Sequence, residues 1–214
     1  MGQATAGRVG GSVVPLSGRC STAMLEKLPH VIGQVLKGKG PGLDKTVYYG
    51  EHIEGAPESI TVSSAAFTDG GAIPVRFTED GEKISPPLAW EGVPADAASL
   101  VLVVEDADSP TPAPIVHALV FDLPPTDGTL AEGALKSPGG EGEAHALGKN
   151  TFLKKAYLPP DPPPGGGAHR YLFQVYALDQ AHHLAEGAGR GAVRDAMQGH
   201  VLARGSMLGT YERP

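Results

Sequence analysis

The chain lacks several features that announce common functional classes. It has a single cysteine, Cys20, which excludes an internal disulfide and any cysteine-based zinc framework. No apolar run reaches the roughly 18 residues a membrane-spanning helix needs. Seventeen Lys and Arg stand against 24 Asp and Glu, a net charge of −7, and no stretch concentrates the basic residues. That excludes a phosphate-tracking surface and so argues against nucleic acid as a partner. An acidic surface is also repelled by anionic lipid, so a phosphate ligand must be held in a local pocket. The first 23 residues carry Arg8 and Arg19 but no apolar core of the kind a secretory signal requires. Leu16–Cys20 resembles a lipoprotein processing site, with Arg19 fitting poorly before the cysteine. The expectation is a disordered tail, or an upstream extension of a chain whose natural start is Met24, in a cytoplasmic protein.

What is abundant is Gly, 30 residues, and Pro, 20 residues, among 214, a composition that argues against a helical bundle. The 41% hydrophobic content still supplies a core. Leu25, Leu28, Ile32, Val35 and Leu36 recur at helical spacing and predict an amphipathic appendage over 24–42, interrupted by Pro29 and ended by Gly38 to Gly42. From Ser59 onward, short apolar runs alternate with turn residues. Strands are expected over Ser99–Glu105, Ile115–Leu123, Arg170–Leu178 and Val201–Tyr211, with a short helix between Gly191 and Gly199. Few helices alternate with the strands, which favours an antiparallel sheet or sandwich, within one domain over 43–214.

Two stretches hold candidate chemistry. Glu105 to Asp122 ends an apolar strand in Asp106 and Asp108, passes through a loop containing Pro110, and enters a second strand carrying His117. Asp-x-Asp-x-Pro after a strand also suits a turn in which carboxylates accept backbone N–H bonds. Period-two alternation places Ile115, His117, Leu119 and Phe121 on one face. The second stretch, Pro159 to Tyr171, packs five prolines and three glycines ahead of His-Arg-Tyr. His169 and Tyr171 share a strand face, from which an imidazole and a phenol can donate to one anion, while Arg170 points away.

Taken together the motifs resemble the phosphatidylethanolamine-binding proteins, in particular their bacterial Raf-kinase-inhibitor-like branch. The resemblance covers Ile60 to Tyr211 and runs, in order, through Phe67–Pro74 (F-x-D-G-G-x-I-P), Ser85–Trp90 (S-P-P-L-x-W), Asp106–Pro110 (D-x-D-x-P), Val116–His117, Tyr157–Tyr171, Tyr176–Asp179 (Y-A-L-D), Gly199–Ala203 and Leu208–Tyr211 (L-G-T-Y). It implies a mainly β protein, an antiparallel β-sandwich with a few short peripheral helices. It also implies a ligand pocket formed by Asp106, Asp108, Pro110, His117, Pro163, His169 and Tyr171, taking a small anion such as phosphate or phosphorylethanolamine. On this reading the protein is a binding protein and not an enzyme, needs no cofactor or metal, modulates a kinase-like or other protein partner, and forms a homodimer. Ala118 stands where many relatives carry an aromatic residue, and Pro159 replaces a family glycine. The competing expectation from residue chemistry is a metal-dependent phosphoester hydrolase using Asp106, Asp108, His117 and His169.

Overall fold

A computed structural model describes residues 34, 35, 37–181 and 184–213. The N-terminal tail, most of the amphipathic segment over 24–42, and His182 and His183 lie outside the described residues. Among the described residues, nine strands form two sheets. The smaller contains β1 (Thr61–Ser63), β3 (Leu88–Glu91) and β6 (Gly128–Leu130), in the order β1-β3-β6. The larger runs β2-β9-β8-β4-β5-β7, from β2 (Gly71–Ala72), β9 (Val201–Tyr211), β8 (His169–Leu178), β4 (Ser99–Asp106), β5 (Ile115–Leu123) and β7 (Ala146–Leu147). All pairings are antiparallel except β2 with β9, which is parallel and makes the larger sheet mixed.

The continuous apolar run of β4 is explained by burial on both faces, and every residue from Ser99 to Asp106 is buried. Leu100, Leu102 and Val104 face the smaller sheet and meet Val62, Trp90 and Leu130. Val101 and Val103 enter a second core on the opposite side. That side is covered by 3-10 turns at Leu43–Lys45, Val47–Tyr49 and Glu51–Ile53, which contribute Val47, Tyr48 and Ile53. The helix α1 (Arg190–Met197) adds Val193 and Met197 to the same core. Buried Glu105 ties these pieces together. It accepts bonds from the Val47 N–H at 2.7 Å, Arg190 Nε at 2.6 Å and Gln174 Nε2 at 3.0 Å, and so satisfies a carboxylate that burial would otherwise penalise heavily.

Simple alternation does not hold along β5. Pairing with β4 slips between Val104–Ala118 and Glu105–Val116, which leaves His117 as the extra residue of a β-bulge. Ala118 and Val120 therefore face the core between the sheets, while Leu119 and Phe121 face the other. The expected common face of His117, Leu119 and Phe121 is broken at this point, and His117 instead packs edge-on against Tyr171, with ring centroids 5.1 Å apart. The end of β4, the start of β5 and the start of β8 meet at one end of the sheet, because all are antiparallel neighbours. The candidate residues are gathered at that end.

Candidate functional site

Asp106 closes β4 and organises the loop that follows. Its Oδ1 accepts the N–H groups of Asp108 and Ser109 at 2.8 and 3.1 Å. Its Oδ2 accepts the Nδ1–H of His169 at 2.9 Å, and both side chains are 6% exposed. The carboxylate thus fixes the His169 tautomer and leaves Nε2 as the atom available to a ligand. His117 is oriented by backbone instead. Its Nδ1–H donates to Leu158 O at 2.6 Å, and the Leu158 N–H returns a bond to His117 O at 2.8 Å. Its Nε2 is buried and has no protein partner. Burial holds the His117 pKa below the usual imidazole value, against the opposing pull of Asp106 and the Leu158 carbonyl. At neutral pH this ring is uncharged, and its Nε2 is a lone-pair acceptor.

Beneath His117, the Tyr171 hydroxyl is also buried without a protein partner, as is that of Tyr157. Burial raises the pKa of both phenols, and Asp106 adds to the effect at Tyr171. An unmet buried polar group costs roughly 1–3 kcal/mol, so three such atoms close to one strand end, the His117 Nε2 acceptor and the two phenol hydroxyls, mark a place built for polar company.

His117, His169 and Asp106 line one cleft with Pro110, Ile115, Leu158 and Pro159, and Glu79, Ser109, Phe152 and Asp161 complete its rim. Its free volume is only about 20 Å³, room for one water or a single ligand oxygen. Phe152, 46% exposed, stands at its mouth. Asp108 and Pro163 lie elsewhere. They line an adjoining cleft of about 210 Å³ with Lys37, Gly166, Gly167 and Arg170, and this cleft shares Pro110 and His169 with the first. Asp108 is engaged there by Arg170, whose Nε and Nη2 each lie 2.7 Å from a carboxylate oxygen. Burial alone would raise the Asp108 pKa, but the hydrogen bonds and charge of Arg170 outweigh it and hold the carboxyl below its usual range. The glycine run after Pro163 has a backbone reason: Gly165 and Gly167 sit at φ of 73° and 85°, the left-handed region that favours glycine.

The structure therefore brings Asp106, Pro110, His117 and His169 around one cleft, stacks Tyr171 beneath it, and puts Asp108 and Pro163 next door. As a metal cage the arrangement is poor, since Asp108 is turned into the Arg170 fork and Asp106 Oδ1 already accepts two N–H bonds. Among the described residues, no group of three or more His, Cys, Asp and Glu side chains could hold a metal ion. Ser109 Oγ bonds Thr111 Oγ1 at 2.8 Å and faces no general base within hydrogen-bond reach. Tyr157, Phe152 and Leu158 escaped sequence reasoning. Only Tyr157 left a signal, as the first residue of the Tyr157–Tyr171 motif.

A family model described as phosphatidylethanolamine-binding protein matches residues 63–212, a span that contains every residue of both clefts except Lys37 and Gly38. The chain belongs to the phosphatidylethanolamine-binding protein family. It is 41% identical over 154 residues to a UPF0098 protein of Methanothermobacter thermautotrophicus, covering 72% of this chain and 99% of that one. A Mycobacterium tuberculosis relative, LppC, whose name describes it as a candidate lipoprotein, is 36% identical over 157 residues, covering 73% and 74% of the two chains. Among solved structures, the homolog CT736 of Chlamydia trachomatis superposes with a TM-score of 0.66 at 37% identity, covering 73% of this chain and 99% of that one. Escherichia coli YbcL, at 24% identity, gives a TM-score of 0.66 over the same shares and agrees in fold.

Proposed function

We propose that this family member is a non-catalytic binding protein for a small anion, phosphate or the phosphorylethanolamine headgroup, and that occupancy modulates a protein partner. The observation that carries the reading is the pairing of unlike histidines in one cleft. His169 is backed by a carboxylate, so a proton added at its Nε2 produces a cation held between Asp106 and the ligand. His117 is neutral, with its proton committed to Leu158 O, so its Nε2 accepts. A phosphate monoester in its singly protonated form matches both atoms: one oxygen faces His169, and its own O–H donates to His117. The cleft's size means that Phe152 must move aside for a phosphoryl group to enter. Nothing in this arrangement activates a nucleophile, which favours holding over hydrolysis.

Isothermal titration calorimetry with phosphate and phosphorylethanolamine tests the proposal. Binding should persist in EDTA, weaken as pH rises above about 7 because the ligand loses the proton it donates to His117, and disappear in His169→Ala. Absence of binding at pH 6, or purified protein that carries stoichiometric metal and cleaves phosphoesters, overturns it.

A further inference from the structure

The segment Lys149–Lys155 reads Lys-Asn-Thr-Phe-Leu-Lys-Lys and forms a loop at the mouth of the small cleft. Its conformation is pinned from inside by Asn150, which is only 3% exposed. The Asn150 Oδ1 accepts the N–H groups of Phe152 and Lys154 at 3.0 and 3.1 Å, its Nδ2 donates to Ala156 O at 3.0 Å, and its backbone N–H bonds Lys154 O at 2.9 Å. Held this way, Leu153 takes a φ of 62°, a left-handed conformation that leucine disfavours. It is also 75% exposed, the most exposed large apolar side chain among the described residues, and Phe152 beside it is 46% exposed. A strained, rigidly supported apolar tip is the kind of outlier that points to a function for the strain.

The surroundings of the tip are basic. Lys149, Lys154 and Lys155 flank it and are all exposed. Lys149 and Lys155 both lie over the Gly187 turn, where Lys155 pairs with Glu186 at 2.8 Å. The carboxylates on the cleft side have cations of their own: Glu79 is 2.6 Å from Lys83 and Asp161 is 2.7 Å from Arg213. A chain that is acidic overall thus presents, at the entrance to its candidate ligand site, two apolar side chains inside a lysine frame.

We propose that Lys149–Lys155 is a docking loop for an anionic phospholipid surface. Phe152 and Leu153 enter the interfacial layer, and the lysines face lipid phosphates. Because Phe152 also lines the cleft mouth, its insertion opens the cleft toward the headgroup layer. The inference rests on the anion-cleft reading for the source of the ligand, which it takes to be a membrane lipid.

Co-sedimentation of the full chain with phosphatidylcholine vesicles, with and without phosphatidylglycerol, tests it. Wild type should partition onto the anionic vesicles and be released by salt. Leu153→Gly should lower that partitioning about tenfold, the effect of exposing most of one leucine side chain, while raising the thermal midpoint, because glycine relieves the positive φ. Lys154→Gln combined with Lys149→Gln should also lower it. None of these variants should change phosphorylethanolamine binding by calorimetry, since none of the altered residues lines the small cleft. His169→Ala should do the opposite, losing the soluble headgroup while keeping the vesicles, so failure of the cleft reading and failure of the loop reading are told apart. Wild type that ignores anionic vesicles, or Leu153→Gly that partitions as wild type does, overturns the proposal. Concentration-dependent dimerisation in ultracentrifugation, abolished by Leu153→Gly, assigns the loop to a second copy and overturns it too.

Discussion

Replacing Asp106 separates its structural work from its ligand work. The carboxylate accepts two backbone N–H bonds through Oδ1 and the His169 Nδ1–H through Oδ2, at 4% exposure. Asp106→Ala strips the acceptor from all three donors. Each unmet buried donor costs roughly 1–3 kcal/mol, and partial relaxation of the Asp108–Ser109 loop recovers some of it, so the expected loss is about 3–5 kcal/mol. Asp106→Asn keeps an oxygen for the two backbone N–H groups but turns an NH2 toward His169. The imidazole must then exchange tautomers, accepting at Nδ1 and carrying its proton at Nε2. Only the charge-assisted bond is lost, about 1.5–3 kcal/mol. The Asn variant should therefore fold, yet bind phosphate at least about tenfold more weakly, because the charge-assisted bond that orients the His169 ring toward the ligand is gone. Urea unfolding at pH 7.5 reads the first quantity through Trp90, the only tryptophan and 3% exposed. Calorimetry reads the second. An Asp106→Ala protein within about 1 kcal/mol of wild type, or an Asn variant with undiminished phosphate binding, refutes the assignment of Asp106 as the organiser of the cleft.

Other outcomes follow from the same geometry. The folded-state His117 pKa lies below its unfolded value of about 6.5, so the stability tied to a neutral ring is complete above that pH and is lost as pH falls through the folded value. Unfolding free energies at pH 7.5 and 5.5 should show this slope in wild type and a smaller one in His117→Gln. Glu105→Gln places an amide opposite Arg190, Gln174 and the Val47 N–H, and leaves a largely buried guanidinium uncompensated. It should cost about 3–5 kcal/mol and speed hydrogen exchange at the Val47 amide. Asp108→Asn, which disturbs the Arg170 fork in the neighbouring cleft, should weaken phosphate binding less than Asp106→Asn does, by the same calorimetry.

The long strands were legible because their chemistry is local. Ser99–Glu105 carries no polar alternation, which is what burial on both faces demands, and the His-Arg-Tyr run opens β8 where the proline–glycine loop ends. The bulge at His117 was not legible. No glycine marks it, and period-two reasoning assigns that histidine to the wrong set of neighbours; only the pairing slip against β4 reveals it. The parallel contact of Gly71–Ala72 with β9 was hidden in the same way, because a two-residue strand has no periodicity to read. At the site, the family resemblance grouped Asp106, Asp108, His117 and His169, but could not distinguish Asp106, which turns toward a histidine, from Asp108, which turns toward Arg170. That difference comes from the alternation of His169 and Arg170 along β8, which sends their side chains to opposite faces and takes one carboxylate with each.

The neutral state of His117 changes what the cleft can select. Two protonated histidines would attract any anion, with little regard to its protonation. One imidazole that can be charged between Asp106 and the ligand, beside one that burial keeps neutral, instead favours an anion that brings its own proton. Phosphate monoesters have their second ionisation near pH 6 and carry that proton at slightly acid pH, whereas sulfate does not. At pH 6 and equal ionic strength, phosphate should therefore bind more tightly than sulfate, and the preference should shrink as the pH rises through 7 and the phosphate loses its donor. Equal affinity for the two anions at pH 6 would mean that charge alone is being read, and the accepting role assigned to the His117 Nε2 would be wrong.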